Sequence, residues 1–161
     1  MSVISAADTR DTDTVVVDSL LLGEVPVPAA SVFAFPAGLP GFESHTQWAL
    51  IPAAGNHVFW LQALDERALA FVMADPFVAI EGYEVDLKPS ELRELSLEDA
   101  SDALVFVIVT LPAQEKGEAT ANFRGPVVLN TRTRVGRQVV SAADRYDIHT
   151  PLNLRALFTA A

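Results

Sequence analysis

Cysteine is absent from this chain, which removes disulfide bonds, zinc–thiolate sites and cysteine nucleophiles together and suits a reducing compartment. Histidine is scarce. His45, His57 and His149 lie far apart and none belongs to a His-x-x-x-His pair, so no metal site is expected. Long hydrophobic runs are missing too. The longest, Ala103 to Val109, is seven residues, too short to cross a bilayer as a helix. No positively charged stretch followed by an apolar run occurs near Met1, so no secretory signal is expected. Gly-rich phosphate loops, a dinucleotide fingerprint and a Gly-x-Ser-x-Gly elbow are likewise not found. The expectation is a cytoplasmic protein with no membrane association, no enzymatic activity and no cofactor.

Basic residues are few and unevenly placed. Residues 1–118 hold 19 Asp and Glu against 5 Lys and Arg, a balance of −14, whereas residues 119–161 hold 2 against 6, or +4. An acidic body repels phosphates, so direct nucleic-acid binding is not expected. The same field attracts basic protein partners. Within the body the densest acidic stretch comprises Glu81, Glu84, Asp86, Glu91, Glu94, Glu98, Asp99 and Asp102. It reads either as a solvated face or as an electrostatic surface.

What is present is β pattern. Half of the 161 residues are apolar, enough for one self-sufficient core. Residues 1–13 are small, polar and acidic, and are expected to form a disordered tail ahead of one domain over residues 14–158. Val15–Val17 with Leu20–Leu22 reads as a first strand, turned by Gly23–Pro26, and Ser31–Phe35 as a second. Gln47–Ile51 and Val58–Leu64 form a hairpin. Leu69 to Ala74 alternates bulky and small residues with period two, a strand signature. Asp75-Pro76 ends that strand, and extended structure resumes over Phe77–Leu87. Pro89–Leu95 suits a short helix that starts with proline. Ala103–Leu111 reads as the most buried strand. Gly125-Pro126 breaks one β region over Ala119–Asn130, and Val135-Gly136 reads as a hairpin turn. Leu152–Phe158 suggests one helical turn or a docked tail. Together these predict an all-β fold, a compact antiparallel barrel or sandwich-like single domain with one or two short helices.

The most informative local feature is Phe35-Pro36-Ala37-Gly38-Leu39-Pro40-Gly41-Phe42-Glu43. Each proline fixes its own φ, and Pro40-Gly41 suits the centre of a type II turn. Large apolar residues in a rigid turn either plug the end of a core or belong to a surface that another protein covers. Both readings stand at this point.

This loop looks like the phenylalanine, glycine and Pro-Gly-Phe loop of the FliW family of flagellar assembly factors. The resemblance continues through Phe59-Trp60-Leu61-Gln62-Ala63 and Leu69–Phe77. Its strongest block is Ala119-Thr120-Ala121-Asn122-Phe123-Arg124-Gly125-Pro126-Val127-Val128-Leu129-Asn130, followed by Gly136–Val140 and Pro151-Leu152. It spans about residues 15 to 152 with its blocks in order. The resemblance implies a β-barrel-like domain that binds flagellin and the translational regulator CsrA. In that family CsrA represses flagellin translation by binding the messenger leader, FliW relieves the repression, and accumulating flagellin competes for FliW. Partner contacts are then expected at Leu39, Pro40, Gly41, Phe42, Leu61, Gln62, Asp75, Pro76, Phe77, Asn122, Pro126 and Asn130. The acidic stretch would place a negative field beside the RNA-binding surface of CsrA. A β-barrel that encloses a small ligand is the alternative.

Overall fold

The computed structural model describes residues 13–53, 55–113, 117–141 and 145–159. The expected acidic tail, but for Asp13, lies outside them. Seven strands close into a barrel: β3 (Val32–Ala34), β4 (Gln47–Pro52), β5 (Val58–Ala63), β6 (Ala70–Ala74), β7 (Ala103–Thr110), β9 (Val127–Asn130) and β10 (Val135–Gln138). The ring runs β7-β6-β5-β4-β3-β10-β9 and returns to β7 through a β7–β9 pairing. Seven is odd, so strand directions cannot alternate all the way round, and one pair must run parallel. That pair is β3–β10, joined by the single register pair Val135↔Ala34 and the Arg134 carbonyl, which accepts the Ala34 N–H at 2.8 Å.

Three further pieces sheathe the ring. A hairpin of β1 (Thr14–Ser19) and β2 (Gly23–Pro28) packs Val17 and Val27 on Ala49 and Ile51 of β4. Tyr83, Phe123, Tyr146 and Leu157 cover Val58, Val72, Ala74, Val107 and Val109 on β5–β7. The helix α2 (Pro89–Glu94) leads into Leu95, which packs on Val128 and Val139 outside β9 and β10. Two short strands, β8 (Ala119–Ala121) and β11 (Thr150–Leu152), extend the sheet beyond β7. The barrel itself is filled by side chains, among them Phe33, Phe35, Trp48, Leu61, Met73, Phe106 and Leu129. This leaves the enclosed-ligand alternative without support.

The β class and most strands are as the sequence indicates, and the two β runs flanking Gly125-Pro126 do lie along one edge of β7. Five local readings need correction. Leu20–Leu22 do not extend the first strand; they form its turn, where Ser19 Oγ accepts the Leu22 N–H at 3.1 Å. Gly23–Pro26 is the start of β2, whose Pro26 and Pro28 turn their missing N–H groups to the open edge. Phe77–Leu87 is not extended. Asp75 caps and Pro76 opens the single-turn helix α1 (Pro76–Ala79), and an irregular segment follows. Val135-Gly136 is no turn, because the chain reverses at Thr131–Arg134 and Arg134 takes the positive φ of 59°. Finally, β9 is buried at all four positions, while Leu104 of β7 is exposed. A third helix, α3 (Leu154–Thr159), realises the C-terminal turn.

Candidate partner-binding surface

The Phe35–Glu43 loop closes one end of the barrel. Gly38 donates to the Phe35 carbonyl at 2.8 Å, and Phe42 donates to the Leu39 carbonyl at 2.7 Å. With Pro40 second and Gly41 third at φ 85°, the latter is the expected type II turn. Gly38 is constrained by space as well as by φ, since a Cβ there would lie 2.6 Å from Glu43 Cα. The Glu43 carboxylate accepts the Gly41 N–H at 3.0 Å, and this bond, then the Glu43 N–H, holds its pKa below the usual range. The loop divides its apolar residues between core and surface. Leu39 plugs the core at 1 % exposure. Phe42 keeps 37 % of its surface exposed, with its ring edge-on to Phe71 at 5.4 Å and Phe71 against Trp48 at 5.7 Å. Pro40 and Gly41 form the exposed tip.

Several expected contact residues are buried or bonded to the backbone. Leu61 and Gln62 are fully buried. The Gln62 amide nitrogen lies 3.1–3.3 Å from the carbonyls of Ala63, Glu66, Arg67 and Leu69 and so organises the β5–β6 loop. Asn130, also buried, donates to the Leu95 and Ser96 carbonyls at 2.9 and 3.0 Å. Its Oδ1 accepts the N–H groups of Arg132 and Thr133. One side chain thus ends α2 and shapes the β9–β10 turn. Pro126 is buried, and its carbonyl accepts the Val139 N–H at 2.9 Å. Asn122 is half-buried and accepts the Gly125 N–H at 2.8 Å. Pro76 is buried, and Asp75 accepts the Phe77 N–H at 2.9 Å as a helix cap. Of that triplet only Phe77 projects, 52 % exposed, with its ring 5.6 Å from Tyr83.

The acidic stretch is less uniform than its sequence suggests. Glu91 is buried and accepts the Lys88 N–H at 2.8 Å, capping α2. Asp99 accepts the N–H and hydroxyl of Ser101, each at 2.9 Å, and the N–H bond leads in lowering its pKa. Arginines from the basic C-terminal segment come back to four of the others. Arg132 lies 3.6 Å from Asp102 and 4.0 Å from Glu98, Arg137 pairs with Glu94, and Arg145 meets Glu84 at 2.9 Å. The Glu84 hydrogen bond, with Tyr146 and Asp86 adding to it, raises the Arg145 pKa. Glu81 and Asp86 are exposed.

The chain brings some of these regions together in an open apolar groove of about 420 Å³ between α1, α2 and the outer face of β7 and β9. Phe77, Val85, Leu87, Leu92 and Leu97 form its walls, Val105 and Val128 its floor, and Glu98 and Asp99 its rim. No residue of the 39–42 loop lines it. Sequence inspection missed the groove, although apolar residues threaded through the acidic stretch at Val85, Leu87, Leu92 and Leu97 are its signal. Among the described residues no group of three or more His, Cys, Asp or Glu is placed to hold a metal. No helix of the described residues is long and apolar enough to cross a membrane.

A family model described as "FliW protein" matches residues 16–152, nearly the span of the sequence resemblance. This chain belongs to the FliW family. A flagellar assembly factor FliW from Alkaliphilus metalliredigens (strain QYMF) is 37% identical over 126 residues, 77% of each chain. One from Moorella thermoacetica is 36% identical over 125 residues, 77% of this chain and 79% of the relative. In structure, the chain is similar to a crystal structure of the flagellar assembly factor FliW, with a TM-score of 0.75 and 27% identity over 86% of this chain and 96% of that one. The family is named for flagellar assembly and not for a catalysed reaction, so protein partners are where its chemistry lies.

Proposed function

We propose that this FliW-family protein is a non-enzymatic partner switch in the cytoplasm. It holds flagellin, and when not so occupied it binds CsrA and lifts CsrA repression of flagellin translation. The observation that supports this reading is the family match over residues 16–152, which covers the whole barrel. The exposed apolar positions Phe42 and Phe77 and the acidic surface agree with a binding role.

Electrostatics contributes to CsrA antagonism only in part. A unit charge pair about 8 Å apart in water is worth about 0.5 kcal/mol, less in physiological salt. With Glu91 buried and Glu84, Glu94 and Asp102 facing arginines, the field left over is that of a few carboxylates. About 1 kcal/mol of RNA displacement, roughly fivefold, is its share. Steric overlap or a shape change in CsrA supplies the remainder.

The test is reconstitution from purified components of the source organism. Mixed with flagellin, the protein should elute as a one-to-one complex. Added to CsrA on its flagellin leader RNA, it should release the RNA, and flagellin should reverse that release. A protein that binds neither flagellin nor CsrA at micromolar concentration overturns the proposal.

A further inference from the structure

Helix α2 has two apolar residues three apart with opposite fates. Leu95, just past its end, is fully buried on Val128, whereas Leu92 remains 36 % exposed. Leu92 and the half-exposed Phe77 both line the groove, together with Val85, Leu87, Leu97 and Val105. A wall of this kind left open to water costs free energy unless something covers it. The charge around it says what. The two charged residues that line the groove are both carboxylates, Glu98 and Asp99. The segment 77–105, which builds most of it, holds eight Asp and Glu against Lys88 and Arg93. Arg132 approaches Glu98 only to 4.0 Å, and the Glu98 side chain stays 87% exposed.

We infer that this groove is the docking site for an amphipathic helix whose apolar face carries large aliphatic residues and whose flanks carry lysine or arginine. The inference rests on the partner-switch reading above and adds to it the place and the chemistry of one contact. The apolar face packs on Phe77 and Leu92, and the basic flank meets Glu98 and Asp99. Helix-in-groove recognition needs anchors at i, i+3, i+4 and i+7, and like charge on the flank opposes it.

The probes are two synthetic helices of about 18 residues, long enough to be helical, with the same leucine face. One is flanked by lysines, the other by glutamates. Titrated into the full ¹⁵N-labelled chain, the lysine peptide should shift the backbone amides of residues that line the groove, and the glutamate peptide should bind at least about tenfold more weakly. Leu92→Ser should weaken the lysine peptide about five- to tenfold. Glu98→Lys, at a surface position that leaves the fold intact, should weaken it about threefold and flatten its salt dependence. Equal binding of both peptides, shifts that map to another face, or no shift at millimolar peptide overturns the inference. Flagellin and CsrA are assayed in parallel. If wild type and Leu92→Ser hold either protein equally, the groove inference fails while the functional reading stands. If wild type holds neither protein yet the lysine peptide occupies the groove, the functional reading fails and the groove stands.

Discussion

Phe42→Ala separates the two roles that the rigid loop combines. Complete burial of a phenylalanine side chain is worth about 1.5–3 kcal/mol. With 37 % of Phe42 exposed, the buried remainder is worth about 1–2 kcal/mol to the free domain. The edge-to-face contact with Phe71 at 5.4 Å adds about 0.5–1.5 kcal/mol. Truncation should therefore destabilise the fold by about 2–3 kcal/mol. That would lower a urea midpoint by about 1–2 M at a typical slope for a small domain. The exposed third offers a partner only about 0.5–1 kcal/mol, two- to fivefold in Kd. Urea unfolding followed by tryptophan fluorescence gives the first quantity, since Trp48 sits against Phe71. Isothermal titration with flagellin well below the midpoint gives the second. An unchanged midpoint with binding lost by more than tenfold would refute the reasoning, because Phe42 would then be a partner anchor and not chiefly a lid on the barrel.

Gly136→Ala should destabilise the domain by about 1–3 kcal/mol, since the added methyl would lie 2.5 Å from Phe35 Cε1 and 2.6 Å from Leu129 Cδ2 at the parallel seam; an unchanged thermal midpoint would show that this seam relaxes freely. Tyr83 donates its hydroxyl to the Phe123 carbonyl at 2.7 Å, and burial first, then Tyr146, raise its pKa above the ordinary 10.0. A raised folded-state pKa means that only the unfolded chain gives up this proton just above pH 10, so stability should fall progressively as pH rises from there. In Tyr83→Phe, urea midpoints measured from pH 8 to 11 should decline less steeply, although the variant starts lower for want of the hydrogen bond.

Legibility followed the range of the interaction. The Leu39–Phe42 turn was readable because Pro40 and Gly41 act on their own backbone, and β6 was readable because period two is local. Gly136 was not, because it supplies absence of volume beside Phe35 and Leu129, and nothing near it in sequence states that need. Placing it at a turn assumed that a glycine serves its own φ, but Arg134 took the positive φ instead. Gln62, Asn130 and Glu91 look like surface residues in a sequence. Each is buried and bonds backbone groups, Gln62 through its amide nitrogen, Glu91 through one carboxylate oxygen and Asn130 on carbonyls 34 and 35 residues away. The acidic stretch misled for a related reason, since the arginines that face it come from residues 132–145.

Magnitudes then compare the two surfaces, of which neither meets the cost of docking alone. Docking two proteins costs at least about 4 kcal/mol in lost translational and rotational freedom, and the exposed part of Phe42 cannot meet that alone. The groove begins from more. Phe77 at 52 % and Leu92 at 36 % exposed together leave nearly one large side chain uncovered. Val85, Leu87, Leu97 and Val105 are each partly exposed as well, so covering the whole is worth about 2–4 kcal/mol. The groove also has a charged rim of Glu98 and Asp99, which gives orientation and faster association more than affinity, whereas at the loop tip the Glu43 carboxylate is engaged by the Gly41 N–H. The barrel also builds the groove from parts it fixes for other reasons. Asp75 sets the start of α1, Glu91 the start of α2 and Asn130 its end. Asp75 and Asn130, two of the expected contact residues, thus also fix the helices that carry Phe77 and Leu92, and on the groove reading a substitution at Asn130 should impair binding only through the position of α2.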